Sequence, residues 1–322
     1  MNRPLLSWMA LVATAVAWPV VVYAQTTIPS PSITLAVTKA KPAVQQKFAT
    51  PQEAAGALAN ALRSDDLKQI HSVLGPGSGK VIRSGDPVQD AAGRKRFLAA
   101  YETSVKIETL GDAKVTLLIG AEEFPFPFPL VKTASGGWKF DTKAGAEEIL
   151  NRRIGRNERS AIQVCLAYVD AQREYALKDR DKAGLLAYAQ KFISTPGEHD
   201  GLYWETQEGE PASPLGPMST RARKQGYIDL GTEPYHGYYY KILTEQGADN
   251  PGGAYNYIVR GKMIGGFALV AYPARWEASG VMTFICNHQG VVYEKNLGNG
   301  TVAIAERMTR YNPDASWKKT DE

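Results

Sequence analysis

Apolar positions recur every three to four residues over 54–62 and again over 162–176, and alternate with period two in the segments from 233 to 297. Ala54, Ala57, Leu58 and Leu62 share one face of an amphipathic helix. Thr50 caps it, Pro51 suits the first helical position and Glu53 completes a capping box. A second helix is expected over 66–74, stopped by Gly75-Pro76, and a third over 88–101 with Phe97, Leu98 and Tyr101 on one side. Strand-like runs follow at 105–110, 113–119, 126–131 and 137–140. Ile162, Cys165, Leu166, Val169 and Ala176 then mark a helical stretch over 143–178, which Gly155 is expected to divide. A further helix is expected over 181–192, ended by Ser194-Thr195-Pro196-Gly197. Residues 197–217 carry neither period and read as a loop.

From 233 to 297 the segments are aromatic or β-branched and bounded by Gly, Pro, Asn or Asp, the pattern of an antiparallel meander. Met282, Phe284 and Cys286 alternate onto one face, with Val281, Thr283 and Ile285 on the other. Arg260-Gly261-Lys262 reads as a tight turn. In Tyr235-His236-Gly237-Tyr238-Tyr239-Tyr240, alternation places His236, Tyr238 and Tyr240 on one face and Tyr235 and Tyr239 on the other. Buried phenols need partners, and the polar stretch Glu198-His199-Asp200 is the expected supplier. The segment 198–204 should therefore fold over this strand and make an aromatic recess with His236 at its rim.

The beginning of the chain changes the picture of where it works. Arg3, an apolar run over 5–22 and Val22-Tyr23-Ala24 read as a secretory signal peptide, with Gln25 the expected mature start and no lasting membrane anchor. Residues 25–46 are rich in Thr, Ser, Pro, Lys and Ala and read as a flexible leader. The net charge of +4 is mild and the basic residues are dispersed, which argues against a nucleic-acid partner. Cys165 and Cys286 permit one disulfide in an exported chain; their positions on a helix stripe and a core-facing strand favour two buried thiols instead.

Three further features invite function. Phe124-Pro125-Phe126-Pro127-Phe128-Pro129 is either an aromatic docking surface or a protected sheet edge with the rings packed inward. Arg152, Arg153, Arg156 and Arg159 form a basic run, which nearby Glu147, Glu148 and Glu158 are expected to neutralise. The loop at 197–217 holds His199, Asp200, Tyr203 and Trp204, either as a functional lid or as a plug for the core. The four histidines, His71, His199, His236 and His288, show no metal-ligand spacing, and no nucleophile elbow or phosphate loop is present. No cofactor is expected.

Several stretches carry a resemblance. FATPQEAAGALANALRSDD, GWKFDTKAGAEEILNRRIGRNERSAIQVCLAYVDAQREYA, STPGEHDGLYW and EPYHGYYYKILTEQG resemble the bacterial family called domain of unknown function 2950, over nearly all of 48–317. That family implies a secreted bacterial protein and no known activity. The segment HGYYYKI … GGFALVAYPA … SGVMTFICNHQGVVY resembles the C-terminal sheet of pseudopilin-like proteins, although the chain lacks a prepilin start. The helices and strands ending in GGWKFD are similar to the nuclear-transport-factor-2-like cone.

The expected fold is therefore α+β: N-terminal helices with a curved antiparallel sheet, then a long helix leading into a C-terminal antiparallel meander. The expected division is a signal peptide (1–24), a leader (25–46), an N-terminal domain (47–142) and a C-terminal domain (143–322). The expected role is a non-catalytic periplasmic binding or envelope-assembly protein. Its ligand surface is formed by His199, Asp200, Tyr203, Trp204, Tyr235, His236, Tyr238 and Tyr240, and its partner is an envelope protein or a glycan or peptide. The alternative is a hydrolase of an envelope polymer using His199, Asp200 or His236 as acid or base.

Overall fold

The computed structural model describes residues 44–180, 182, 184–228 and 232–321. The signal-peptide reading and most of the leader lie outside those residues. The leader's last residues belong to the fold: Gln45 Nε2 donates to the carbonyls of Leu74 and Phe140, both at 2.9 Å.

Among the described residues four helices come first: α1 (Pro51–Arg63), α2 (Leu67–Leu74), the single turn α3 (Gly79–Ile82) and α4 (Pro87–Thr103). The Thr50 cap acts as read, and two more caps join it. Glu53 N donates to Thr50 Oγ1 at 3.2 Å, and Asp66 and Asp86 cap α2 and α4 with their carboxylates. The helices pack on an antiparallel sheet of β1 (Val105–Thr109), β2 (Lys114–Ile119), β3 (Phe124–Pro125), β4 (Leu130–Lys132) and β5 (Trp138–Phe140), in the order β1-β2-β4-β5 with β3 on β2. The Phe-Pro run ends this sheet. Phe128 is buried and Phe126 half-buried, whereas Phe124 stays 52% exposed beneath the Arg152 guanidinium.

α5 (Thr142–Tyr175) runs 34 residues without a break, about 50 Å at 1.5 Å per residue. Gly155 does not divide it: an interior glycine weakens a helix without ending it, and the helix packs into one core through Ala146 and Ile149 before it and into the other from Ala161 after it. The helix expected over 181–192 does not form among the described residues. Tyr188 bridges to Met263 and Ile193 to Tyr203, and Gln172 takes both backbone groups of Ala189, at 2.8 and 2.7 Å. With its donors and acceptors satisfied by distant partners, the segment has no need of its own helix. α6 (Gly216–Lys224), which the sequence reading assigned to loop or left unplaced, follows.

The second sheet has the order β15-β13-β12-β11-β6, from β6 (Tyr238–Leu243), β11 (Ala268–Pro273), β12 (Thr283–Asn287), β13 (Val292–Lys295) and β15 (Lys318–Lys319). β7 (Glu245–Gln246) joins β8 (Tyr255–Asn256) and, in parallel, β14 (Arg310–Tyr311). β9 (Ile258–Val259) and β10 (Lys262–Met263) form a hairpin across Arg260 and Gly261, whose φ values of 49° and 79° suit a two-residue turn. Every residue of β11 and β12 is buried. α5 covers the face carrying Phe284 and Cys286, and α7 (Thr301–Arg307) with β14 closes the other. Cys165 and Cys286 are free, buried thiols. The two sheets stay separate, each with its own hydrophobic core, and α5 contributes to both cores.

Candidate functional site

The N-terminus of α4 is tied to the hairpin turn that begins β6. Asp86 is fully buried. Its carboxylate accepts from Gln89 N at 2.9 Å, from Tyr227 Oη at 2.8 Å and from Gly237 N at 2.8 Å. Tyr227 Oη in turn accepts from His236 N at 3.2 Å. Burial, then the Asp86 carboxylate, drive the Tyr227 phenol far above its ordinary range, so it remains a donor. Tyr235 and Tyr238 exchange backbone hydrogen bonds across His236 and Gly237, whose φ values are 50° and 76°. That is a two-residue turn with both central residues left-handed.

This geometry corrects the expected alternation. His236 sits at the tip of the turn and not on the strand, which starts only at Tyr238. Tyr238 and Tyr240 do share a face, the one against α5. Tyr238 is fully buried and donates to Met282 O at 2.9 Å, and Tyr240 donates to Tyr235 O at 3.3 Å. Tyr203, Tyr235 and Tyr240 converge on a space of about 20 Å³, room for about one water. The aromatic recess expected there is closed by packing. Tyr238, its hydroxyl satisfied and its ring beside Phe284 at 5.9 Å, is a core residue.

The loop histidine and carboxylate lie elsewhere. His199 stacks on Trp204 at 4.4 Å, Arg180 lies 5.1 Å over the same indole, and Tyr175 Oη donates to His199 O at 2.7 Å. Asp200 accepts from Lys191 Nζ at 2.5 Å and from Thr195 N at 2.8 Å. Burial pushes its carboxyl up, but these hydrogen bonds outweigh that and hold it below the ordinary value. Asp200 borders a small cavity of about 230 Å³, which His236 does not line.

His236 opens instead onto a broad groove of about 1010 Å³, bounded by α4, α5, α6 and the 235–236 turn. Arg96, Arg156, Arg159 and Arg221 line it, with Gln89, Asn157, Gln225, Tyr227 and Tyr235 between them. Among the described residues, Asp170 and Glu174 are its only carboxylates. Among the described residues, none of the four arginines has a carboxylate within 4.0 Å. Burial, then the guanidiniums of Arg96 and Arg152, depress the Arg156 pKa, so like charges crowd the groove wall. Burial also lowers the His236 pKa; Asp86 pulls it back and Arg221 adds to the fall. His236 is thus a neutral imidazole at neutral pH, with Nδ1 3.5 Å from Gln89 Nε2.

The basic run was expected to be neutralised, and it is sorted by helix geometry instead. Arg152 pairs with Glu148 at 2.6 Å. Arg153 turns inward and donates to Lys80 O, Val81 O and Ala278 O. Glu158 is spent on the backbone amides of Val281 and Met282, both at 2.9 Å. That leaves Arg156 and Arg159 unbalanced on the groove side. Asp86, Arg96, Arg221 and Tyr227 had no signal in the sequence beyond the helix cap at Asp86. No group of three His, Cys, Asp or Glu side chains among the described residues is placed to hold a metal ion.

A family model described as a protein of unknown function matches residues 45–320. The chain belongs to the DUF2950 family. No curated protein and no solved structure matches it, so the likenesses to the transport-factor cone and the pseudopilin sheet gain no support there. What this DUF2950 protein does must be argued from the groove.

Proposed function

We propose that this chain is a non-catalytic binding protein, exported to the bacterial envelope, that holds an anionic ligand in the groove between α4, α5 and α6. One observation carries the reading. Four guanidinium groups without carboxylate partners among the described residues line one concave surface, and two of them, Arg96 and Arg156, repel each other there. Arginine presents a planar fork of donors that matches carboxylates and phosphates. An anion there would relieve the repulsion and use donors that now face solvent. The neutral His236, Gln89 and Asn157 add polar groups that orient a ligand, as binding sites commonly require. A hydrolase reading draws less support, because Asp200 borders a different cavity from His236 and His199 stacks on Trp204 outside the groove.

The test is calorimetric titration of the mature protein with inorganic tripolyphosphate at two salt concentrations. Binding should weaken with salt, since exposed charges are screened. It should fall at least tenfold when Arg156→Gln and Arg159→Gln are combined. Binding that ignores both the salt and the double substitution would overturn the reading.

A further inference from the structure

A second cavity lies behind the groove wall. It measures about 230 Å³, is bounded by α1, α2, α3, α4, α5 and the Phe-Pro run, and opens to solvent on one side. Its lining is chiefly apolar, and Leu62, Val81, Ile82, Phe97, Phe126 and Ile149 remain only partly buried while facing it. An engineered cavity of ~150 Å³ with such a lining binds benzene, so this one has room for a ring or a short alkyl chain. α4, the wall between the two spaces, has 17 residues and buries none of them. A helix with Phe97, Leu98 and Tyr101 on one side would ordinarily bury that side.

The two spaces meet at a common seam. Gln89, Arg96 and Arg156 line both the basic groove and the apolar cavity. The mutually repelling guanidiniums therefore stand at the mouth of an apolar chamber. Polar groups on the chamber wall are already used: Asp90 accepts from Ser84 N at 2.9 Å, and Arg153 is held by backbone carbonyls. The chamber itself offers no unpaired charge to a ligand; the mouth offers two.

We propose that the ligand is a single-chain amphiphile, with its carboxylate or phosphate head bridging Arg96 and Arg156 and its apolar tail in the chamber. This rests on the reading of the groove as an anion site and adds the ligand's second half. Burying the tail removes apolar surface from water, and the head neutralises two like charges that the fold holds together.

Gly93 gives a clean test. It lies in α4, lines the chamber but not the groove, and a Cβ there meets only Arg96 Nη2, at 3.9 Å. Gly93→Leu fills the chamber while favouring the helix; Leu62→Phe fills it from α1 as a second variant. Mature protein is titrated with decanoate and decyl phosphate as amphiphiles, decanol as the tail alone and tripolyphosphate as the charge alone. Decanoate and decyl phosphate should bind, decanol at least tenfold more weakly. Gly93→Leu and Leu62→Phe should weaken both amphiphiles at least tenfold and leave tripolyphosphate within twofold. Arg96→Gln with Arg156→Gln should weaken amphiphiles and tripolyphosphate together. Amphiphile binding unchanged in both chamber-filling variants would place the tail elsewhere and overturn this inference alone. Tripolyphosphate binding without amphiphile binding would do the same, and binding of neither would overturn the groove reading as well.

Discussion

Removing the Asp86 carboxylate should separate α4 from the His236 turn. In Asp86→Ala, three donors lose their acceptor. Two of them, Tyr227 Oη and Gly237 N, lie in buried hydrogen bonds. A buried donor left unsatisfied costs about 1–3 kcal/mol, and loss of a helix cap about 1 kcal/mol. The sum spans about 3–7 kcal/mol. Because the groove lies alongside, water can reach part of the site, which favours the lower half: about 3–5 kcal/mol. Tyr227→Phe removes one donor and keeps the carboxylate, so it should cost about 1–2 kcal/mol. Once the carboxylate is gone that hydroxyl has lost its acceptor, so the two losses should not add; the double variant should fall short of their sum by about 1 kcal/mol. Urea denaturation monitored by tryptophan fluorescence measures all three. A loss below about 1 kcal/mol in Asp86→Ala would refute the claim that this carboxylate anchors the turn. Additive losses in the double variant would refute the direct coupling.

Three further outcomes are expected. Gly145→Ala should lower stability by about 1–3 kcal/mol or more, seen as a drop in melting temperature, because a Cβ there would lie 2.2 Å from Phe128 Cδ1 and 2.8 Å from Phe128 Cα. Burial lowers the pKa of both His236 and His288. The unfolded chain therefore takes up protons first, and stability that is complete above about pH 6.5 is lost as pH falls below it. Urea midpoints at pH 7.5, 6.5 and 5.5 should decline in that order, and His236→Gln with His288→Gln should flatten the decline. Mass spectrometry of the exported protein should find Gln25 as its first residue; an intact Met1 would refute the signal-peptide reading.

Local order was legible where a single spacing or one side chain decides it. Thr50 announces a helix start because a short oxygen-bearing side chain satisfies an amide three residues ahead; Asp66 and Asp86 cap their helices in the same way, a role the sequence reading did not assign them. The strands at Tyr238–Leu243 and Thr283–Asn287 were visible in their aromatic and β-branched runs. The reading failed where distant partners intervened. The run from Tyr188 to Ile193 has helical composition, yet Gln172, Met263 and Tyr203 take its backbone groups. His236 looked like a strand residue because alternation was extended one turn too early; Gly237 beside it was the sign of the left-handed pair.

Sequence alone determined the α+β class, the helical character of 143–178 though not its continuity through Gly155, the family and the basic run on that stretch. It could do so because helical and strand periods are properties of neighbours a few residues apart. Which arginines stay unpaired was a tertiary decision. Glu158 was drawn to the amides of Val281 and Met282, more than 120 residues away, and Arg153 to carbonyls of Lys80 and Val81, more than 70 away. Only with those partners withdrawn do Arg156 and Arg159 face Arg96 and Arg221 across a groove. No spacing along the chain encodes that meeting, because it depends on how α4, α5 and α6 dock, and docking is set by the shape of two separate cores.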